Sequence, residues 1–190
     1  GRQQFEADDG TLHPVRWARV ELIQLGGGVL ATGYTDAGGF YSFSISLSAA
    51  TSVSARIYCE TAAAVVVNGT GTTYMVVTPW QSASPNGTVD LGSWYAAHTD
   101  DNWEALYHAT DAYEWVRAHG GGWTRSPVTI CWPVACPTNP PIWWPCSDGN
   151  TIYLPQQSVM GTPWDRPMLI HEYAHAVMYA VYGYFPDGCW

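Results

Sequence analysis

The chain has 190 residues and not one lysine; its seven basic side chains are all arginine. Charged residues make up only 12%, about half the share usual in soluble domains. Ion pairs therefore cannot dominate the surface, and Ser, Thr, Asn, Gly and Tyr must solvate it. Sixteen acidic residues against seven basic ones give a net charge of -9. That balance excludes the basic footprint needed for nucleic acid or for an anionic membrane surface. No uninterrupted run of about eighteen apolar residues occurs, so no membrane insertion is expected. There is no phosphate-cradling glycine loop, no calcium loop, and no Ser/His/Asp spacing with supporting context. Gly1 opens the chain without Met or an apolar leader, as in a mature, processed or recombinant chain.

Hydrophobic residues reach 47%, with eleven Trp and twelve Tyr, enough to core one large or two small domains. Of the five cysteines, Cys131, Cys136, Cys146 and Cys189 cluster late, and Cys59 stands alone. Only Cys131 and Cys136 approach the short spacing of a zinc ribbon. Disulfides in an exported protein, with one cysteine left over, are the expected use. Asn68-Gly69-Thr70 and Asn86-Gly87-Thr88 have the form of N-glycosylation acceptors, relevant only where exported proteins are glycosylated.

Along the chain, residues 1–10 read as polar and peripheral unless Phe5 anchors them. Residues 18–25, 29–35, 40–47 and 53–59 follow as strand candidates, the clearest alternation being Phe40 to Leu47. Asp36-Ala37-Gly38-Gly39 is a turn signal. Residues 63–67 and 73–78 read as a hairpin across Asn68-Gly69-Thr70-Gly71, and 88–92 as a last short strand. Six or seven such strands predict a small antiparallel β-sandwich over residues 1–98. Residues 102–119 then recur at helical spacing, with Trp103, Leu106, Ala109 or Thr110, Tyr113 and Val116 on one stripe, ended by Gly120-Gly121-Gly122. A β-prone run at 128–132, a Pro-rich loop, a short strand at 151–154 and a helix ending at Gly183 complete an expected second domain, 99–190.

That last helix holds His171-Glu172-Tyr173-Ala174-His175. At spacing i, i+4 both imidazoles share a helix face and can reach one zinc ion, with Glu172 beside them to deprotonate a metal-bound water. A purely structural histidine pair is the plain alternative.

Two resemblances sharpen these expectations. Pro14-Val15-Arg16-Trp17-Ala18-Arg19-Val20-Glu21-Leu22 and Tyr34-Thr35-Asp36-Ala37-Gly38-Gly39-Phe40-Tyr41-Ser42-Phe43 resemble the transthyretin-like or carboxypeptidase-regulatory-like accessory modules. Residues 101–190 resemble the zincin metallopeptidases, gluzincin-like in that the metzincin continuation is missing: Met178 and Val181 stand where it would require Gly and His. The resemblance implies α+β architecture, a β-sandwich followed by an incomplete zincin-like α/β segment. It implies Zn2+ held by His171 and His175, Glu172 as general base, and hydrolysis of a peptide or protein substrate outside the cell. Asp187 is the only acidic residue after the motif, and a solvated turn position is its plain reading. The third ligand is therefore missing from the visible chain, which reads as a possible fragment. His108, Tyr179, Asp165, Arg166 and Tyr184 are candidate neighbours of the site, and Trp143-Trp144 a candidate cleft wall. His13, His98 and His119 read as structural or surface side chains. The alternative reading is a non-catalytic extracellular structural subunit, forming filaments or a surface layer by self-association through edge strands.

Overall fold

The computed structural model describes residues 1–7, 10–97, 101–135, 137, 144–155 and 166–184. The fold is mixed α+β, in two compact units. Residues 1–59 and 75–104 form the first, and 60–74 and 105–190 the second.

In the first unit, β3 (Arg19–Gln24) pairs antiparallel with β4 (Val29–Tyr34) and with β5 (Thr51–Tyr58). β7 (Met75–Val77) and β8 (Gln81–Ala83) add to β5 at two places along it. The alternation in β3 buries Val20 and Leu22 while Arg19 and Glu21 stay half-exposed. The outer face carries a polar ladder. Glu21 takes Arg19 Nη1 at 2.7 Å and the Tyr58 hydroxyl at 2.7 Å, and the Arg19 guanidinium lies 3.6 Å over the Tyr58 ring. On a partly solvated face such pairs stabilise by only about 0–1 kcal/mol. They fix cross-strand register more than they add stability.

The second sheet of this unit corrects the sequence reading. β1 (Arg2–Glu6) is not peripheral: it is the middle strand, antiparallel to β2 (Leu12–Pro14) and parallel to β9 (Ser93–Ala96). Phe5 and Gln3 are buried at 2% and 1% exposure. The parallel β1/β9 pair departs from the all-antiparallel sandwich expected for residues 1–98. Two strands counted toward that sandwich carry no ladder: within 40–47 only Phe40 makes a bridge, and residues 88–92 are irregular. Alternation reports half-burial, not a hydrogen-bonded neighbour. The Asp36 turn forms as expected. Asp36 Oδ1 accepts from the amides of Gly38 at 2.8 Å and Phe40 at 2.9 Å. Gly39 takes φ +77, in the left-handed region, where an added Cβ would strike the Gln3 carbonyl.

The second unit holds a mixed sheet in the order β11-β12-β10-β6. Here β6 is Ala64–Val67, β10 Val128–Cys131, β11 Cys146–Ser147 and β12 Thr151–Tyr153. β10 runs parallel to both β6 and β12. The hairpin expected between 63–67 and 73–78 is thus reduced to a short bridge, Val67 with Thr73, beyond an Asx turn in which Asn68 Oδ1 accepts from Thr70 and Thr72 amides at 3.0 Å. Val66, Val128, Ile130, Ile152 and Leu154 are fully buried. α1 (Asp101–His119), whose first four residues belong to the first unit, buries Trp103, Leu106, Ala109, Thr110 and Tyr113 of the stripe read from the sequence but leaves Val116 half-buried. It ends where the Gly120 and Gly122 amides donate to the Val116 and Arg117 carbonyls, with Gly121 at φ +67.

The disulfide expectation is also corrected. Cys59 and Cys131 are free thiols, and burial pushes both upward in pKa. Hence more than one cysteine is left over, and no disulfide joins two described residues. Cys146 alone among the described cysteines is disulfide-bonded, and Cys136 and Cys189 lie outside the described residues.

Candidate functional site

α2 (Arg166–Tyr182) carries the H-E-x-x-H motif and lies against β11 and β12. Its inner stripe is Leu169, Glu172, Tyr173 and Ala176, all under 9% exposed. His171 and Ala174 are exposed and His175 is half-buried. Two anchors set the helix in place. The Tyr173 ring is 1% exposed and its hydroxyl donates to the Ala63 carbonyl at 3.4 Å. Arg125 reaches the Ala176 carbonyl in mid-helix and the Gly149 carbonyl at 3.2 Å. Tyr179, half-buried, rests against Gly149, where an added Cβ would overlap its ring.

The spacing does bring the imidazoles together. His171 Nε2 and His175 Nε2 stand 2.9 Å apart, rings edge to face with centroids 4.5 Å apart. Burial, and then the neighbouring His171, lower the His175 pKa. Burial raises that of Glu172, opposed by His171. The Glu172 side chain makes no hydrogen bond with a described residue and belongs to the buried stripe.

No third donor from a described residue converges on this pair. Among the described residues no group of three or more His, Cys, Asp or Glu side chains is placed to hold a metal ion. His108 packs edge-on against Tyr107, its ring centroid 5.4 Å away. His119 stacks on Trp115 and His13 on Phe5. His98, Trp143, Asp165 and Asp187 lie outside the described residues, as does the side chain of Arg166; Trp144 and Tyr184 are exposed. Two imidazoles leave a tetrahedral zinc short of protein ligands. The expectation of a Zn2+ cofactor and of a zinc metallopeptidase is corrected on this finding, and with it the hydrolase reading.

Sequence reasoning missed Arg125, which lies in a loop with no motif around it. It names edge strands as a route to self-association but not which strands stand at the edges or that they are uncharged. β4, β7, β8 and β9 carry no ionisable group of either sign apart from Tyr34 and Tyr95. They expose Val29 (51%), Tyr34 (65%), Met75 (48%), Val77 (47%), Trp94 (39%) and Tyr95 (63%). The signal was present in composition, as the missing lysine, because lysine is the usual protection of a sheet edge. Among the described residues no helix is long and apolar enough to cross a membrane.

No family model, no curated protein and no solved structure matches the chain. The resemblances to zincins and to transthyretin-like modules are accordingly not supported by any relative. The convergence test at His171 and His175 speaks against the first.

Proposed function

We propose that the chain is a non-catalytic structural subunit that self-associates through its sheet edges, outside the cell or on its surface. The observation that carries the reading is the set of uncharged edge strands with outward-facing apolar and aromatic side chains in the first unit. Monomeric proteins protect such edges with lysine, proline, bulges or inward charge, because unpaired N–H and C=O groups template pairing with another chain. Among the described edges of that unit β2 has His13 and Pro14 and β4 a bulge at Leu30, while β7, β8 and β9 have no such protection. Strand addition gains affinity from main-chain hydrogen bonds and specificity from alternate side chains. The histidine pair on α2 then serves as part of a scaffold helix.

The test is sedimentation velocity over a wide concentration range, with negative-stain imaging of the same samples and fractionation of producing cells. The expected result is concentration-dependent oligomers, recovered from the cell exterior and reduced in a Tyr34→Lys, Val77→Lys double variant. A chain that stays monomeric at every concentration in physiological salt refutes the reading.

A further inference from the structure

Residues 41–47 have the side-chain pattern of a strand and no strand to pair with. Tyr41 is buried, residues 43, 45 and 47 are half-buried, and Ser42, Ser44 and Ser46 are exposed. Backbone pairing stops at Tyr41, whose amide donates to the Gly1 carbonyl at 3.0 Å. From Ser42 to Leu47 no backbone group hydrogen-bonds to a described residue. Opposite lies a second irregular stretch, in which Thr88 and Val89 likewise make no backbone hydrogen bond with a described residue. Between them is a cleft of about 450 Å³, lined by apolar side chains such as Phe43, Ile45 and Val89 and also by Ser42, Ser44 and Ser46. Two unpaired main chains flanking a trough of mixed polarity require a partner or water for every N–H and C=O. Another extended strand is the ligand whose chemistry fits both.

Charge and pattern together single out the occupant. The whole molecule carries -9, so two copies repel on approach. From Ala37 to Ala55 there is no Asp, Glu, Lys, Arg or His. Two copies can therefore bring this segment together without opposing like charges. The sequence Tyr-Ser-Phe-Ser-Ile-Ser-Leu is also self-matching. Side chains directly opposite in an antiparallel pair share a face. A register that sets Ser44 against Ser44 places Tyr41 opposite Leu47 and Phe43 opposite Ile45, with all serines on the other face. A one-residue slip would set apolar against serine throughout.

We propose that Tyr41–Leu47 pairs antiparallel with the same segment of a second copy, across a twofold axis at Ser44, and fills the cleft. This rests on the self-association reading and names its interface. The contact is isologous. A second contact at another edge would extend the dimers into the filament or layer.

Cross-linking and sedimentation test it. Ser44→Cys, made in a Cys131→Ser background, is expected to give a covalent dimer on mild oxidation. Ser126→Cys, in an exposed loop outside every strand, is the control and is expected to give none. A synthetic peptide of sequence YSFSISL should suppress the cross-link, and a scrambled peptide should not. Ile45→Lys should raise the dimer dissociation constant by about tenfold or more, with the thermal transition retained as proof of folding. Cross-linking no greater than the control, with unchanged association in Ile45→Lys, overturns this interface while leaving association through other edges standing. A wild-type chain that never associates overturns both.

Discussion

Tyr173 sits in the middle of the motif, and its ring and hydroxyl make separable claims. The ring is 1% exposed and among the largest fully buried side chains. Truncating such an aromatic costs about 3–5 kcal/mol, transfer and cavity together. The hydroxyl does much less. Its 3.4 Å bond to the Ala63 carbonyl is long, and that carbonyl also accepts the Val128 amide at 3.0 Å. Removing the hydroxyl leaves the acceptor satisfied, so Tyr173→Phe should cost at most about 0.5 kcal/mol, the low end for a neutral hydrogen bond.

The expected contrast is then about 2.5–5 kcal/mol between Tyr173→Phe and Tyr173→Ala. For a chain of this size about 4 kcal/mol corresponds to roughly 8–16 °C in the melting of the affected transition. Urea titration followed by helical circular dichroism reports both variants, with the slope checked for constancy because two units need not unfold together. If Tyr173→Phe loses as much as Tyr173→Ala, the hydroxyl and not the ring anchors the helix, and the scaffold account of α2 is wrong.

Two further outcomes follow from the same physics. Burial raises the Glu172 pKa above its ordinary 4.5, so the folded state favours the protonated acid. Its contribution is fully present below the unfolded pKa and is lost as pH rises through the folded one. Glu172→Gln should therefore match wild type in acid and become the more stable protein as pH rises; a stability difference that is flat across a pH series of urea titrations removes this account. Gly39→Ala should cost about 1–2 kcal/mol for the left-handed backbone alone, and more because its Cβ would displace the Gln3 carbonyl of β1. Gly27→Ala, at φ +97 with nothing within 4 Å, supplies the backbone cost without the clash. Equal losses in the two variants would show that the Gly39–Gln3 approach carries no weight.

What was legible in the sequence was local. The 3.6-residue recurrence of α1 and α2, the alternation of β3 and the Asp36 turn each depend on neighbours a few residues away, and each forms. What was not legible was pairing between distant segments. Arg-Gln-Gln-Phe-Glu reads as polar, yet the parallel partner Ser93–Ala96 makes it a central strand. Ala64–Val67 reads as half of a hairpin, yet its ladder partner is Val128–Cys131. Phe40 to Leu47 shows the clearest alternation in the chain and has no ladder at all.

The candidate site failed for the same reason. Any two histidines four apart on a helix face each other, so the 2.9 Å approach of His171 and His175 follows from helicity alone. A metal site adds a demand that spacing cannot express, namely a donor brought in from another element, and among the described residues none arrives. The edge reading is built the other way round. It rests on four strands at separate places in the chain, all without charge, in a molecule that has no lysine to spend on any of them. Two units joined by a few crossings of the chain would tolerate a charged edge at little cost in stability, since surface substitutions usually change it by less than about 0.5 kcal/mol. Folding therefore does not require these edges to be bare, and association through them does.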